Sequence, residues 1–196
     1  MCAKSFDVSK LKFYPLTVER WADFERLFGP NGACGGCWCM WWKLTRKEFT
    51  DLKEEGRKKA FKSIVKKEET LCILAYADNE AIGWCAVAPR TAYPRLERSR
   101  VLARVDDKPV WSIVCFFVDK RFRGLGVMKL LIEAAVEHVA KSGGKIVEAY
   151  PIEPKEKKRF LPVFVYTGLA SAFQKAGFIE VARRSEIRPI MRYMIK

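Results

Sequence analysis

The loop Arg123-Gly124-Leu125-Gly126-Val127-Met128-Lys129 lies between a strand-like run and a helix-like run, and its residue types suit it to bind an anion. Glycines let backbone N–H groups approach a ligand with no Cβ in the way. The first turn of a helix carries N–H groups without an intrahelical partner, together with the positive end of the helix dipole. Loop and helix start together therefore suit a phosphate or a similar anion. Two common phosphate cradles are excluded, because the sequence has no G-x-x-x-x-G-K-[ST] and no G-x-G-x-x-G opening a helix after a first strand.

A second stretch dense in chemistry is Cys34-x-x-Cys37-x-Cys39, interleaved with Trp38 and followed by Met40, Trp41 and Trp42. Zinc asks for four ligands, and the usual second C-x-x-C is absent. Cys72 or Cys85 would have to complete the set, and no metal is assigned. A redox pair lacks the βαβ frame that such motifs occupy. Two readings stay open: Trp38, Trp41 and Trp42 line an apolar substrate pocket, or they pack a core beneath a tight glycine loop. The sole histidine, His138, falls in a helical pattern, and there is no G-x-S-x-G elbow, so a Ser-His-Asp hydrolase is excluded.

Local patterns supply the elements that must position these groups. Val110 to Val118 is dense in β-branched and aromatic residues and reads as a buried strand. After the glycine loop, Leu130, Leu131, Ala134, Ala135, His138 and Val139 recur at helical spacing, and Ser142-Gly143-Gly144 ends that helix. Upstream, Lys12 to Leu16 reads as a strand. Thr17 is placed to cap a helix whose Trp21, Phe24, Leu27 and Phe28 share a face. Thr45 and Glu48 form a capping box for a helical stretch reaching Lys67, with a break expected near Gly56. Thr70 to Ala77 and Ala81 to Ala88 flank the turn Asp78-Asn79-Glu80 as a hairpin, and Tyr93 to Leu102 reads as a helical connector. Lys145 to Ile152, Phe178 to Arg183 and Arg188 to Ile195 read as strands. Thr167 to Ala176 reads as a short helix, and Glu153 to Phe160 as a lysine-rich loop.

The chain has 196 residues, 49% of them hydrophobic, which suits one folded domain rather than disorder. No apolar run approaches the ~18 residues that a membrane span needs, and the N-terminus lacks the look of a signal peptide. A cytoplasmic location is expected, with the seven cysteines reduced. The net charge of +14 raises nucleic acid as a partner. The lysines and arginines fall in separate clusters with acidic residues among them, however, and a solvated surface is the favoured reading.

The six residues from Arg123 to Met128 resemble the R/Q-x-x-G-x-G/A signature of the GNAT family of N-acetyltransferases. Phe173-Gln174-Lys175-Ala176-Gly177-Phe178 resembles that family's second marker, Y-x-K-x-G-F. The order of elements from Thr70 onward is similar as well. A register starting at Arg121 is the alternative. Arg123 is preferred because it stands five residues past Val118 and sets Leu131 correctly in the helix. The resemblance implies an α/β (α+β mixed) fold: a twisted, mostly antiparallel sheet of about seven strands flanked by helices. It implies one domain over 1–196, with 1–69 the variable acceptor side and 70–196 the acetyl-CoA-binding core.

It also implies roles. Arg123, Gly124, Leu125, Gly126, Val127, Met128 and Lys129 would cradle the pyrophosphate of acetyl-CoA, a polyanion that a basic rim attracts. Phe116, Phe117 and Val118 would bond its pantetheine arm along the splayed strand end. Two departures stand out: Met128 occupies a position where the family has Gly or Ala, and Phe173 replaces the tyrosine that serves many members as general acid. Tyr166 is the candidate replacement, with Tyr150 and Ser171 the other nearby hydroxyls. Glu148 is the candidate base, a carboxylate in an otherwise apolar strand, since burial makes carboxyls more basic. The competing reading has Glu148 on a polar face or paired with an arginine. The activity implied is acetyl transfer to a primary amine, on a small molecule or a protein. The alternative is a non-catalytic module on the same fold that binds CoA or nucleic acid. Self-association into a homodimer is open.

Overall fold

Seven strands form one sheet in the order β1 (Lys12–Pro15), β2 (Ile73–Ala77), β3 (Glu80–Pro89), β4 (Trp111–Val118), β5 (Ile146–Ala149), β7 (Pro189–Met194) and β6 (Ile179–Arg183). The computed structural model describes residues 6–67, 72–154 and 165–196. All neighbouring strands run antiparallel except β4 and β5, which are parallel.

Helices cover both faces, as the strand patterns require. Against one face, α1 (Trp21–Phe28) and α3 (Glu54–Lys66) bring Phe24 and Phe61 onto Trp84 of β3, with ring centroids 4.8 and 5.9 Å away. Against the other, α5 (Val127–Lys141) buries Val127, Leu131, Ile132, Ala135 and Val139, and α6 (Ala170–Lys175) adds Phe173. Leu130, Ala134 and His138 flank that buried stripe rather than lead it.

Several boundaries differ from the sequence reading, each for a local reason. α1 starts at Trp21, because the Thr17 hydroxyl accepts from Arg20 Nη1 (3.4 Å) and caps no amide of that helix. The break expected at Gly56 falls earlier, between α2 (Arg46–Asp51) and α3, where Leu52 and Lys53 are extended. Gly56 instead makes room for Leu52: a Cβ there would stand 2.9 Å from Leu52 Cδ2. In the connector only α4 (Pro94–Glu97) is α-helical, preceded by a 3-10 turn at Arg90–Ala92. The last helix begins at Ala170, and most of the lysine-rich loop lies outside the described residues.

One irregularity shapes the site. Across β3 and β4, Ala86 faces Cys115 while Val87 faces Ile113, so Val114 is the extra residue of a β-bulge. Pairing of β4 with β5 stops at that same point, at Ile113 and Ala149. From Cys115 to Val118, β4 keeps β3 on one side and has no β5 on the other.

Candidate active site

The glycine loop closes the gap between β4 and α5. Asp119 starts it, its carboxylate accepting from the Arg121 N–H (2.9 Å). Gly124 (φ 79°) and Gly126 (φ 85°) then take left-handed conformations that a side chain would strain, and Gly126 opens α5 with no side chain capping the helix. The helix start thus keeps its first amides for an outside acceptor, the arrangement a diphosphate fits. The two candidate arginines are used differently. Arg121 is bonded to Asp119 and Glu80. Arg123 folds back on the strand end, its Nε donating to the Val118 carbonyl (2.8 Å), and stands beside the glycines. Val127 anchors the helix start in the core, Leu125 is 43% exposed, and Lys129 pairs with Glu133 on the surface.

The splayed edge of β4 is partly occupied by the chain itself. The Phe116 N–H donates to the Tyr166 carbonyl (2.6 Å). By strand alternation the Val118 N–H points the same way, whereas that of Phe117 faces β3. The Phe116 ring packs on the α5 side against Phe173 (5.9 Å), and the Phe117 ring packs on the opposite face against Phe28 (5.5 Å).

Tyr166 is half-buried between this edge and the Trp41-Trp42 segment, its ring 6.5 Å from that of Trp42. Burial raises its pKa, helped by the Cys115 and Cys37 thiols and opposed by Arg188. The phenol therefore keeps its proton through neutral pH and can act as a donor. The thiols nearby are also held neutral. Burial, with Cys39 beside it, pushes Cys37 up to about 11. Cys39, hydrogen-bonded to Cys115 and wholly buried, is pushed well up too, and it accepts from Trp84 Nε1 (3.3 Å). Neutral thiols are poor metal ligands and poor nucleophiles. Among the described residues no three His, Cys, Asp or Glu side chains are grouped to hold a metal ion.

Glu148 takes the second of its two sequence readings, paired with arginine rather than placed as a base. It is fully buried, and both its oxygens are committed: Oε1 accepts from Arg90 Nη1 (3.0 Å) and the Tyr150 hydroxyl (2.6 Å), and Oε2 from Arg192 Nε (2.7 Å). Sheet register builds this row, since Ser112, Glu148 and Arg192 face one another across β4, β5 and β7. The ring of partners closes outward, with Arg192 bidentate on Asp106 and Arg90 on Glu97 and the carbonyls of Leu96 and Leu102. A carboxylate gripped by two guanidiniums has no free lone pair aimed at a substrate. Sequence reasoning missed both arginines, although Arg192 gives the signal that singled out Glu148: a lone charge inside an apolar strand, Ile190 to Met194.

The three tryptophans do not form one wall. Trp38 is 3% exposed, stacked on Phe28 (5.9 Å) in the core, and it borders a separate cavity of about 710 Å³ between α1 and α3. Trp41 is 38% exposed beneath the Arg95 guanidinium (3.7 Å). Trp42, 8% exposed, faces the Tyr166 ring, and the Trp41 side chain hydrogen-bonds the Tyr166 phenol. The loop that carries them is strained, with Ala33, Trp38 and Cys39 all at positive φ.

The acetyltransferase (GNAT) family model matches residues 38–157. The chain belongs to the GNAT family of acetyltransferases. Solved structures share the fold at low identity. The PaiA N-acetyltransferase of Thermoplasma acidophilum, in complex with coenzyme A, is 13% identical over 95% of this chain and 99% of that one, with a TM-score of 0.53. The ribosomal-protein-S5-alanine acetyltransferase of Vibrio fischeri is 12% identical over 96% and 95%, with a TM-score of 0.52. A GNAT-family acetyltransferase of Streptococcus pneumoniae is 13% identical over 95% and 100%, also at 0.52. No curated protein sequence matches. Acetyl-CoA is the acyl donor of the GNAT family.

Both departures from the GNAT signatures are absorbed by packing. Phe173 is fully buried, edge-on to Phe116 and Phe178, and no hydroxyl is presented at that position. Met128 packs against the cluster beneath α5 and α6.

Proposed function

We propose that this GNAT protein transfers an acetyl group from acetyl-CoA to a primary amine by direct attack in a ternary complex. In this reading 1–196 acts as one cytoplasmic domain, with residues 1–69 on the acceptor side and 70–196 on the donor side. The observation that carries it is the uncapped start of α5 behind two left-handed glycines, next to a strand edge released by the Val114 bulge. The amides from Gly124 to Met128 hold the diphosphate, Arg123 stands beside them, and the register starting at Arg123 applies. The Val118 amide is offered to the pantetheine arm, while that of Phe116 becomes available only when Tyr166 yields its carbonyl. Acetyl-CoA, when bound, supplies the activated acetyl carbon.

The chain's own residues then divide the proton work. Tyr166, kept neutral by burial, gives its proton to the departing sulfur. No carboxylate is assigned as base. The positive field of Arg95 and Arg188 disfavours the ammonium form of a bound amine, so its proton is released to water. Glu148 positions β4, β5 and β7 rather than reacting.

One observation favours the alternative of a CoA-binding module without turnover: the Phe116 amide is already bonded within the chain. Calorimetry with acetyl-CoA and a CoA-release assay over an amine panel separate the two. Expected are binding, release of CoA that depends on an amine, and binding weakened at least ~10-fold by Gly126→Val. Binding without turnover on any amine favours the module. Binding indifferent to Gly126→Val removes the loop from the site.

A further inference from the structure

Two buried donors on the Trp42 side of Tyr166 lack an acceptor among the described residues. Trp42 is nine-tenths buried, and its Nε1–H has no hydrogen-bond partner among the described residues. Nη2 of Arg95 is also buried and, among the described residues, without a partner. Their main chains meet, the Arg95 backbone N–H donating to the Trp42 carbonyl (3.4 Å). The guanidinium is held flat on Trp41 at 3.7 Å, with its Nε fixed on the Leu44 carbonyl (2.9 Å). Trp42 faces the Tyr166 ring, and Arg95 acts electrostatically on the Tyr166 hydroxyl and the Cys37 thiol. Arg188 adds a second cation from the far side, tied only loosely to the Tyr150 carbonyl (3.5 Å). The groups acting most strongly on Tyr166 and Arg95 include no carboxylate.

Buried N–H groups without acceptors cost free energy that a matching ligand recovers. The ligand group that matches is acceptor-only and anionic. A planar carboxylate fits a guanidinium held flat by an aromatic ring, which presents its N–H fork in one plane.

Resting on the reading of this site as an amine acetyltransferase, we infer that the acceptor carries a carboxylate beside its amine, as a free amino acid does, and that Arg95 with Trp42 Nε1 binds it. The class excludes simple alkylamines and polyamines as preferred acceptors. A protein N-terminus, whose α-carbonyl is an amide, is excluded likewise. Specificity then comes from a charge on the acceptor that a neutral analogue cannot supply.

The test compares free amino acids with their amides and their decarboxylated amines, aromatic and aliphatic, in the CoA-release assay. The acid is expected to exceed its amide at least ~10-fold in kcat/KM, the difference residing in KM. Arg95→Gln is expected to bring that ratio toward one, and Arg95→Lys to retain part of it. Amides used as well as acids by the wild type, or an acid-to-amide ratio unchanged in Arg95→Gln, overturns the inference. If no amine is turned over, tryptophan fluorescence with the same amino acids and their N-acetylated forms decides it. Quenching that needs the carboxylate and disappears in Arg95→Gln supports the subsite, and no quenching by any carboxylate overturns it. Calorimetry with acetyl-CoA, run on every variant, reports separately on the donor side, so failure of the subsite and failure of the transferase reading leave different records. Thermal melts of both Arg95 variants confirm that they fold.

Discussion

Two buried polar clusters lie on the same face of the sheet, and they are built on opposite principles. Around Glu148 every strong group is answered: two guanidiniums and a phenol meet one carboxylate, the Ser112 hydroxyl bonds that phenol, and Asp106 and Glu97 balance what remains. Near Tyr166, Trp42 Nε1 and Arg95 Nη2 are left unanswered among the described residues. A closed cluster fixes geometry, because any movement breaks several charge-assisted bonds at once. An open one has interactions to offer a ligand. Burial and charge alone, which drew attention to Glu148 in the sequence, do not tell the two kinds apart; the count of partners does.

The strongest way to break this contrast is to unbalance the closed cluster. Removing one member of a buried ionic group leaves its partners charged and uncompensated, which typically costs about 3–5 kcal/mol. Glu148→Ala is therefore expected to lower the unfolding free energy by about that amount, read from urea or guanidinium denaturation. A loss below about 1 kcal/mol, the scale of an ordinary surface change, shows that the cluster is not closed as described. Pairing Glu148→Ala with Arg192→Leu is expected to recover part of the loss, since the orphaned guanidinium is removed as well.

The open cluster responds in the other observable. Tyr166→Phe deletes only the hydroxyl, so stability is expected to change little while kcat falls roughly 100-fold, the usual scale of general acid catalysis. The pH dependence has a definite sign. Burial raises the Tyr166 pKa, so the proton-bearing form persists beyond the ordinary tyrosine range and the rate falls only at strongly alkaline pH. That alkaline limb is expected to vanish in Tyr166→Phe. A kcat within about threefold of wild type removes the phenol from the reaction.

These outcomes bear on what a linear sequence reveals. The elements of the proposed donor side were legible because they are local: a strand, two glycines and a helix start are contiguous from Trp111 to Lys141, and backbone amides need no distant partner. The same holds for the capping box and the hairpin. The groups proposed for the acceptor side were not, because they come from five separate places, at Cys37 to Trp42, Arg95, Cys115, Tyr166 and Arg188. Glu148 was found with arginine pairing as one of its two readings, but its partners could not be named, since positions 90 and 192 lie 58 and 44 residues away and only the fold brings them together. Trp38 was grouped with Trp41 and Trp42 by adjacency, yet the positive φ values at Trp38 and Cys39 turn the chain and send Trp38 into the core.

A smaller effect sharpens the contrast by titration. Burial raises the Cys37 thiol to about 11 from an ordinary 9.0. The unfolded chain gives up that proton first, so the contribution is intact below about pH 9 and is lost as pH rises toward 11. Over that window Cys37→Ala is expected to lose less stability than wild type, by about 2 kcal/mol at most. Parallel alkaline melting of the two proteins means that Cys37 reaches solvent in the folded state.

The smallest expected effect asks where the open cluster gets its rigidity. The loop carrying Cys37 and Trp42 ends at Thr45, whose hydroxyl accepts from the Glu48 N–H (3.2 Å) while Glu48 answers the Thr45 N–H (2.7 Å). Losing such a cap costs about 1 kcal/mol. The loop's inner turn is held by something else: the Trp38 indole fills the space beside Gly32, where a Cβ would stand 2.5 Å from Nε1. Thr45→Ala is therefore expected to lower stability by about 1 kcal/mol with acceptor KM unchanged, because packing around Trp38 rather than the helix cap sets the loop's shape. A rise in acceptor KM at constant stability reverses that assignment and makes the α2 cap part of the acceptor site.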